Sequence, residues 1–243
     1  SELQVQKTGR GFALIMDDVG YDVRALKRLL KLNVPLAVSV LPDAPFARQS
    51  ARLANQAGQV VMLHLPMQPE SSSHHLTDSF LHADMNEQAL RDTLLQNIRQ
   101  VPFVEGVNNH MGSKLTQLSE PMRWVMQVCR ENNLFFVDSR TSPNSVAAKA
   151  AKNSGLAWAS RQIFLDHEMK TEAMLQAWQK TRACVQKGHR CIVIGHPRSK
   201  TITFLENHLS PEDAANMVSI KRLLQKNPMQ VQQQVTASES LLP

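Results

Sequence analysis

An α/β fold is what this sequence predicts, with a parallel sheet of seven or eight strands curled into a complete or distorted barrel. Two observations carry that expectation. Short apolar runs alternate with stretches of helical periodicity, the pattern of parallel strands joined by right-handed helical crossovers. Six of the runs also end abruptly at residues that can bind a metal or move a proton: FALIM at Asp17 and Asp18, LAVSV at Leu41-Pro42-Asp43, VVML at His64, VEGV at Asn108-Asn109-His110, LFFV at Asp138 and CIVIG at His196. In a parallel sheet the C-terminal strand ends share one rim, so these groups should face a single site.

The elements follow in order. A strand over 12–16 precedes a helix over 22–32, for which Asp22 is placed as the cap. Asn33-Val34-Pro35 stops that helix and LAVSV begins the second strand. Pro45 suits the first turn of a helix over 45–57, Gly58 ends it, and VVML is the third strand. The polar stretch from 66 to 85 is long enough to be a functional loop. Helices over 86–100, 119–132 and 144–153 then alternate with strands near 104–108, 134–137 and 156–159. A helix over 171–187 leads to CIVIG, and helices over 199–208 and 219–226 flank a short strand near 216–219. Residues 11–226 read as one domain, between a leader (1–10) and a tail (227–243) expected to be disordered.

Composition narrows the classes of function. With 243 residues, 42% of them hydrophobic, the chain can bury a large core. The formal charge of +6 admits an anionic partner, but Lys and Arg occur singly or in pairs such as Lys27-Arg28 and Lys221-Arg222. No aromatic-basic motif accompanies them, so nucleic acid is not an expected partner. No apolar stretch reaches the ~18 residues of a membrane helix, so no transmembrane segment is expected. Cys129, Cys184 and Cys191 have no CxxC spacing. Cys184 and Cys191 could pair across a helix-to-strand turn, but three buried free thiols are the expected state.

Each strand-end group has an ordinary alternative. Adjacent carboxylates on a strand point to opposite faces, so Asp17 and Asp18 cannot serve one site unless the strand has already turned, and either could cap the next turn. His64 alone would read as a structural histidine. With His110 at another strand end and a carboxylate from Asp18, it completes a His₂-carboxylate set suited to Zn²⁺ with room for water. Asp138 and Arg140 are either a surface ion pair or a pair that orients a catalytic group. His196, before a proline, projects from the rim with a pKa suited to protonating a leaving group. His74, His75, His82, His167, His189 and His208 read as solvated. A metal-free glycosidase built on Asp17 or Asp18 with Asp138, and a glycan-binding protein without catalysis, are the competing readings.

IMDDVGYD, LHLPMQP, GVNNHMGSKLT, FFVDSRTS and IGHPRS, in this order, resemble the divergent, YibQ-type branch of polysaccharide deacetylases within the NodB-like carbohydrate esterase superfamily, over roughly residues 10–225. The resemblance implies a distorted (β/α) barrel of about seven strands and zinc-dependent removal of acetyl groups from an N-acetylated glycan. By that resemblance Asp17 is the general base, His196 the acid, and Asp138 with Arg140 the orienting pair. Asp18, His64 and His110 bind the metal. His110 stands in for a second histidine that standard members carry where this chain has Gln68. NNHMGS replaces their Arg-Pro-Pro-Tyr segment, so Asn109, Met111 and Gly112 fall to substrate binding, with the Met111 or Gly112 N–H groups as the oxyanion hole. With the start at Ser1 it also implies a periplasmic or envelope location, reached through a signal peptide not present in this chain.

Overall fold

The computed structural model describes residues 11–71 and 76–226; the leader, His74, His75 and the tail from 227 lie outside them. Eight strands form one sheet in the order β6-β5-β4-β3-β2-β1-β8-β7, every pair parallel. They are β1 (Phe12–Val19), β2 (Leu36–Val40), β3 (Val60–Met67), β4 (Val104–Met111), β5 (Phe135–Asp138), β6 (Trp158–Ser160), β7 (Ile163–Phe164) and β8 (Cys191–Gly195). β6 and β7 occupy opposite ends of that order, yet only Arg161 and Gln162 separate them in sequence. Three residue steps span at most about 11 Å, so the two sheet edges are drawn together and the sheet closes on itself.

The strand interiors split into two cores. Phe12, Leu14 and Met16 of β1 join Val38, Leu63, Val107 and Phe136 beneath the helices. Ala13 and Ile15 of the same strand join Ala37, Val60, Met62, Phe135 and Ile192 inside the barrel. Burial on both faces explains why the strands read as unbroken apolar runs. The helices are α1 (Val23–Leu30), α2 (Ala47–Gln56), α3 (Glu87–Gln100), α4 (Ser119–Glu131), α5 (Ala147–Asn153), α6 (Thr171–Gln186), α7 (Ser199–His208) and α8 (Pro211–Asn216). Asp22 caps α1 as expected, its Oδ1 accepting from the N–H groups of Arg24 and Ala25.

The last described segment departs from expectation. No helix spans 219–226 and no strand spans 216–219. Instead Ser210 and Asp213 form a capping box that starts α8, and a 3₁₀ turn covers Ile220–Arg222. Val218, Ile220, Leu223 and Leu224 enter the inner core, where they plug the N-terminal mouth of the barrel. Bridges from Met217 to Phe12 and from Gln225 to Trp158 hold that plug. With the bottom filled, the C-terminal rim is left open for chemistry.

Two further features were misjudged or hidden. The expectation of three free thiols is corrected: Cys184 and Cys191, with Cα atoms 6.1 Å apart, form a disulfide joining the end of α6 to the start of β8, and only Cys129 is free. Gly106 in β4 faces the barrel interior, where a Cβ would overlap three ring carbons of Phe135. Gly106→Ala should therefore lower stability by about 1–3 kcal/mol through overpacking, seen as a lower urea midpoint with an unchanged m-value.

Candidate active site

Both carboxylates of β1 reach one site because the strand is irregular there. Asp17 shares the inward parity of Ala13 and Ile15, whereas regular pleating would turn Asp18 outward with Met16. The β1–β2 register shifts between Met16 and Val19, and Asp18 adopts a left-handed backbone with φ 55°. A bulge of this kind re-aims a side chain, and Asp tolerates the left-handed region better than most residues. Asp18 Oδ1 thereby lies 3.2 Å from His64 Nε2, while Asp17 Oδ1 lies 3.6 Å from Nδ1 of the same ring.

His64 from β3 and His110 from β4 are cross-strand neighbours near the rim, with Pro66 paired to His110 in the register. Their facing nitrogens, His64 Nε2 and His110 Nδ1, are 3.1 Å apart, and His110 Nδ1 is 3.1 Å from Asp18 Oδ1. Asp18, His64 and His110 thus present three donor atoms in a triangle. Three ligands at tetrahedral angles and about 2.0–2.1 Å from one ion would be separated by roughly 3.3–3.4 Å, close to this triangle. Asp18 Oδ1 is also buried without a hydrogen bond. An orphaned buried carboxylate oxygen beside two imidazoles fits a divalent cation, with zinc the match for this N/O set. Burial alone would raise the Asp18 pKa, but the contacts and charges of His110 and His64 hold it well below the usual carboxylate range.

Asn108, named at the end of its strand in the sequence but given no role there, organises the floor of this site. Its Oδ1 accepts from Ser39 Oγ at 2.5 Å and faces His64 Nδ1 at 2.9 Å. Its Nδ2 donates to Asp17 Oδ1 at 2.8 Å. A carbonyl acceptor at Nδ1 assigns a proton to that nitrogen, which leaves Nε2 of a neutral His64 as the lone pair turned toward Asp18 and His110. Burial opposes a charge on His64, yet Asp17 and Asp18 outweigh it and push its pKa up to about 9. Asp17 itself is only 3% exposed. Burial raises its pKa, against the opposing effects of His64 and Asn108.

Across the site, His196 Nε2 stands 3.8 Å from Asp18 Oδ2. Its other nitrogen, Nδ1, lies 2.9 Å from Asp166 Oδ1, and its backbone N–H donates to Asp166 Oδ2 at 2.8 Å. Thr201 Oγ1 donates to the same oxygen at 2.8 Å. Desolvation would lower the His196 pKa, but Asp166 raises it above the ordinary value. The carboxyl of Asp166 is held below its usual range by His196 and Thr201, against burial. The His196 ring stacks on Phe164, and the Arg161 guanidinium sits 3.9 Å from the centroid of that same Phe164 ring. Asp166 and Arg161 were missed because the two-residue β7 that lies between them is too short to register as a strand.

Other expected site residues lie elsewhere. Asp138 has the outward parity of Phe136, and its oxygens accept from Arg140 N, Ser145 Oγ and Ala148 N at 2.8, 2.9 and 3.4 Å. It fastens the loop into α5, and its link to Arg140 runs through the backbone. The Arg140 side chain points to the Pro143 carbonyl. The geometry thus puts Asp166 where the Asp138–Arg140 pair was expected, and it takes Asp138 out of a glycosidase dyad with Asp17 or Asp18. Asn109 also faces away from the cluster. Its Oδ1 accepts from Ser139 N and its Nδ2 donates to the Met111 carbonyl, both within 2.9 Å. That bond braces Met111 and Gly112, whose φ values of 53° and 89° turn the backbone out of β4 directly after His110. Gln68 is occupied too. Its Oε1 accepts from Ala83 N and its carbonyl from Lys114 and Leu115, so it straps the loop that carries Phe80 against His110.

His208 departs from its solvated reading, since Nδ1 contacts the Phe204 carbonyl and the ring stacks on Phe204; His167 stacks on Phe164.

Comparison with known proteins bears on the family and the fold. The family model described as divergent polysaccharide deacetylase matches residues 14–224. YibQ of Escherichia coli K12 is 33% identical over 194 residues, 80% of this chain, and the match spans 60% of that relative's length. Among solved structures, an uncharacterised Agrobacterium tumefaciens protein superposes with a TM-score of 0.82 at 15% identity over 90% of both chains. The catalytic domain of a peptidoglycan N-acetylglucosamine deacetylase from Eubacterium rectale superposes with a TM-score of 0.52 at 16% identity, over 90% of this chain and 91% of that one. The fold is the distorted (β/α) barrel that those structures share, here with eight strands rather than about seven. On the family match across 14–224, this chain belongs to the divergent polysaccharide deacetylase family.

Proposed function

We propose that this chain is a metal-dependent hydrolase that removes acetyl groups from an N-acetylated glycan. The observation that carries the reading is the triangle of Asp18, His64 and His110, flanked by one carboxylate outside it and one histidine opposite. When bound, a zinc or other divalent cation supplies Lewis acidity to a carbonyl oxygen and lowers the pKa of a water. Asp17, held through Asn108, takes a proton from the water as its oxygen bonds to the acetamide carbon. The N–H groups of Met111 and Gly112, on the backbone braced by Asn109, are assigned to the developing oxyanion. His196, oriented by Asp166, then gives its proton to the sugar nitrogen as the C–N bond breaks, leaving acetate and an amine.

The location proposed is an oxidising one, the periplasm or cell envelope. The Cys184–Cys191 disulfide supports it. Among the described residues no helix is long and apolar enough to cross a membrane.

Metal analysis of the purified protein tests the site directly. The wild type should hold about one zinc per chain, and Asp18→Ala and His110→Ala should each lose it, since two remaining ligands make a poor zinc site. A wild type that carries no metal and takes up none when zinc is added would sink the hydrolase reading.

A further inference from the structure

β6 and β7 stand at opposite ends of the sheet order, so among the described residues no strand ladder joins them and the barrel closes across a seam. The two residues between these strands bridge it. Gln162 holds the β8 side: its N–H donates to the Ile192 carbonyl at 2.9 Å, and its Oε1 accepts from Ile192 N at 2.6 Å. Arg161 holds the β5 side. Its backbone N–H donates to the Asp138 carbonyl at 2.9 Å, its Nε to the Ser139 carbonyl at 2.7 Å and Nη2 to the Arg140 carbonyl at 3.0 Å. Taking two successive carbonyls at once needs the rigid planar fork of a guanidinium, which an ammonium lacks. The fork also fastens the left-handed turn at Arg140, where φ is 54°.

The same guanidinium reaches the acid. Its carbon lies 3.9 Å from the Phe164 centroid, a cation–π contact. Phe164 pairs with Ile194 in the β7–β8 register and packs against the inner core, so its ring stands at the mouth of the barrel beside the strand that ends at His196. The Phe164 and His196 rings are tilted by only 19°, with centroids 6.2 Å apart, an offset stack. Asp166 holds the imidazole by its Nδ1 edge. A bond at one edge leaves the ring free to tilt about it, and a neighbouring ring face limits that tilt. On its other side Arg161 leads to the base. Ser139, whose carbonyl it holds, accepts from Asn108 Nδ2 on its Oγ at 3.2 Å, and the same Nδ2 donates to Asp17. Burial lowers the Arg161 pKa against the charges of Asp138 and Asp17, in keeping with a guanidinium drawn into the barrel mouth.

We infer that Arg161 is a positioning residue for the reaction: acting through Phe164, it sets the tilt of the His196 ring and with it the line along which a proton reaches the leaving amine. This rests on the acid role proposed for His196 and adds the residue that ties that acid to the floor under Asp17.

The test uses the zinc-loaded full chain and two substrates: the linear pentamer of N-acetylglucosamine, whose amine must be protonated as it leaves, and 4-nitrophenyl acetate, whose phenolate leaves without a proton. Arg161→Met should lower kcat for the amide roughly tenfold, part of the 10²–10⁴-fold that a general acid contributes, with KM and ester turnover unchanged. Arg161→Lys keeps a charge near Phe164 but not the fork, so the barrel should stay folded while amide kcat still falls severalfold. Phe164→Leu should match Arg161→Met, and the double variant should be no worse than Phe164→Leu alone, because residues acting in series are not additive. Wild-type amide turnover in Arg161→Met, losses that multiply in the double variant, or losses equal for amide and ester overturn the positioning role. A second readout needs no turnover. In metal-free protein the ring protons of His196, assigned by NMR with His196→Gln, should shift in Arg161→Met while those of His64 and His110 hold. Unmoved His196 signals overturn the inference. A wild type inert on both substrates would remove the hydrolase reading, and the His196 shift would still decide whether Arg161 sets the ring.

Discussion

Asp17→Asn should lower turnover by about 10²–10⁴-fold, the usual contribution of a general base, with zinc content unchanged. The expectation follows from where Asp17 stands relative to the triangle. Its Oδ1 is 3.6 Å from His64 Nδ1, the nitrogen turned away from Asp18 and His110, so the carboxylate is outside the set of metal donors. An asparagine at 17 keeps an oxygen for the Nδ2 group of Asn108, which now donates at 2.8 Å. What it lacks is the ability to take a proton. Turnover and metal content should therefore separate in Asp17→Asn, whereas Asp18→Ala should lose both. Wild-type turnover in Asp17→Asn, measured as acetate release, would remove Asp17 from the reaction.

The same substitution carries a stability signature in metal-free protein. Burial raises the Asp17 pKa above its unfolded value, so ionisation is resisted in the folded state. For a carboxyl shifted upward, the favourable contribution is present below the unfolded pKa and is lost as pH rises through the folded one. Asp17→Asn should thus be more stable than wild type at neutral pH, with the difference closing in acid. A catalytic group kept at the expense of stability is a common pattern in active sites.

The strands and their rim were legible because parallel strands buried on both faces leave continuous apolar runs, and each run ends where the chain meets solvent. His64, His110, Asp18 and His196 could be read that way. The turn at Asp18 could not, since a left-handed residue that is not glycine leaves no compositional mark. Without it the two adjacent carboxylates would have been sent to opposite faces. Strand parity could have been pressed further: Asn108, two residues from His110 and from Gly106, shares their inward face, while Asn109 and Asp138 share the outward face of Val107 and Phe136. The Ser210-Pro-Glu-Asp213 sequence also carried its capping-box signal, which identifies α8. By contrast Asp166 follows a two-residue strand, and its partnership with His196 spans 30 positions, so only the closed barrel brings it to the site. The disulfide was open from spacing alone and needed the 6.1 Å Cα separation to decide it.

Asp166→Asn should move the alkaline limb of the pH–rate profile toward acid and lower the maximal rate by about 10²-fold, the lower end for an impaired proton donor. As an acid, His196 must be protonated, so activity falls as pH rises through its pKa. Desolvation by itself would lower that pKa, and the Asp166 carboxylate is what lifts it above the ordinary value of 6.5. A neutral amide at 166 removes the largest lifting charge and leaves only Asp17 and Asp18 to oppose desolvation, so the limb should shift downward. Thr201→Val separates charge from scaffolding: it deletes a hydroxyl donor to Asp166 Oδ2 while the carboxylate stays ionised beside His196. Its alkaline limb should lie far closer to wild type than that of Asp166→Asn. If Asp166→Asn slowed the reaction without moving the limb, Asp166 would be a structural brace, and the proton given to the leaving amine would have to come from a group other than His196.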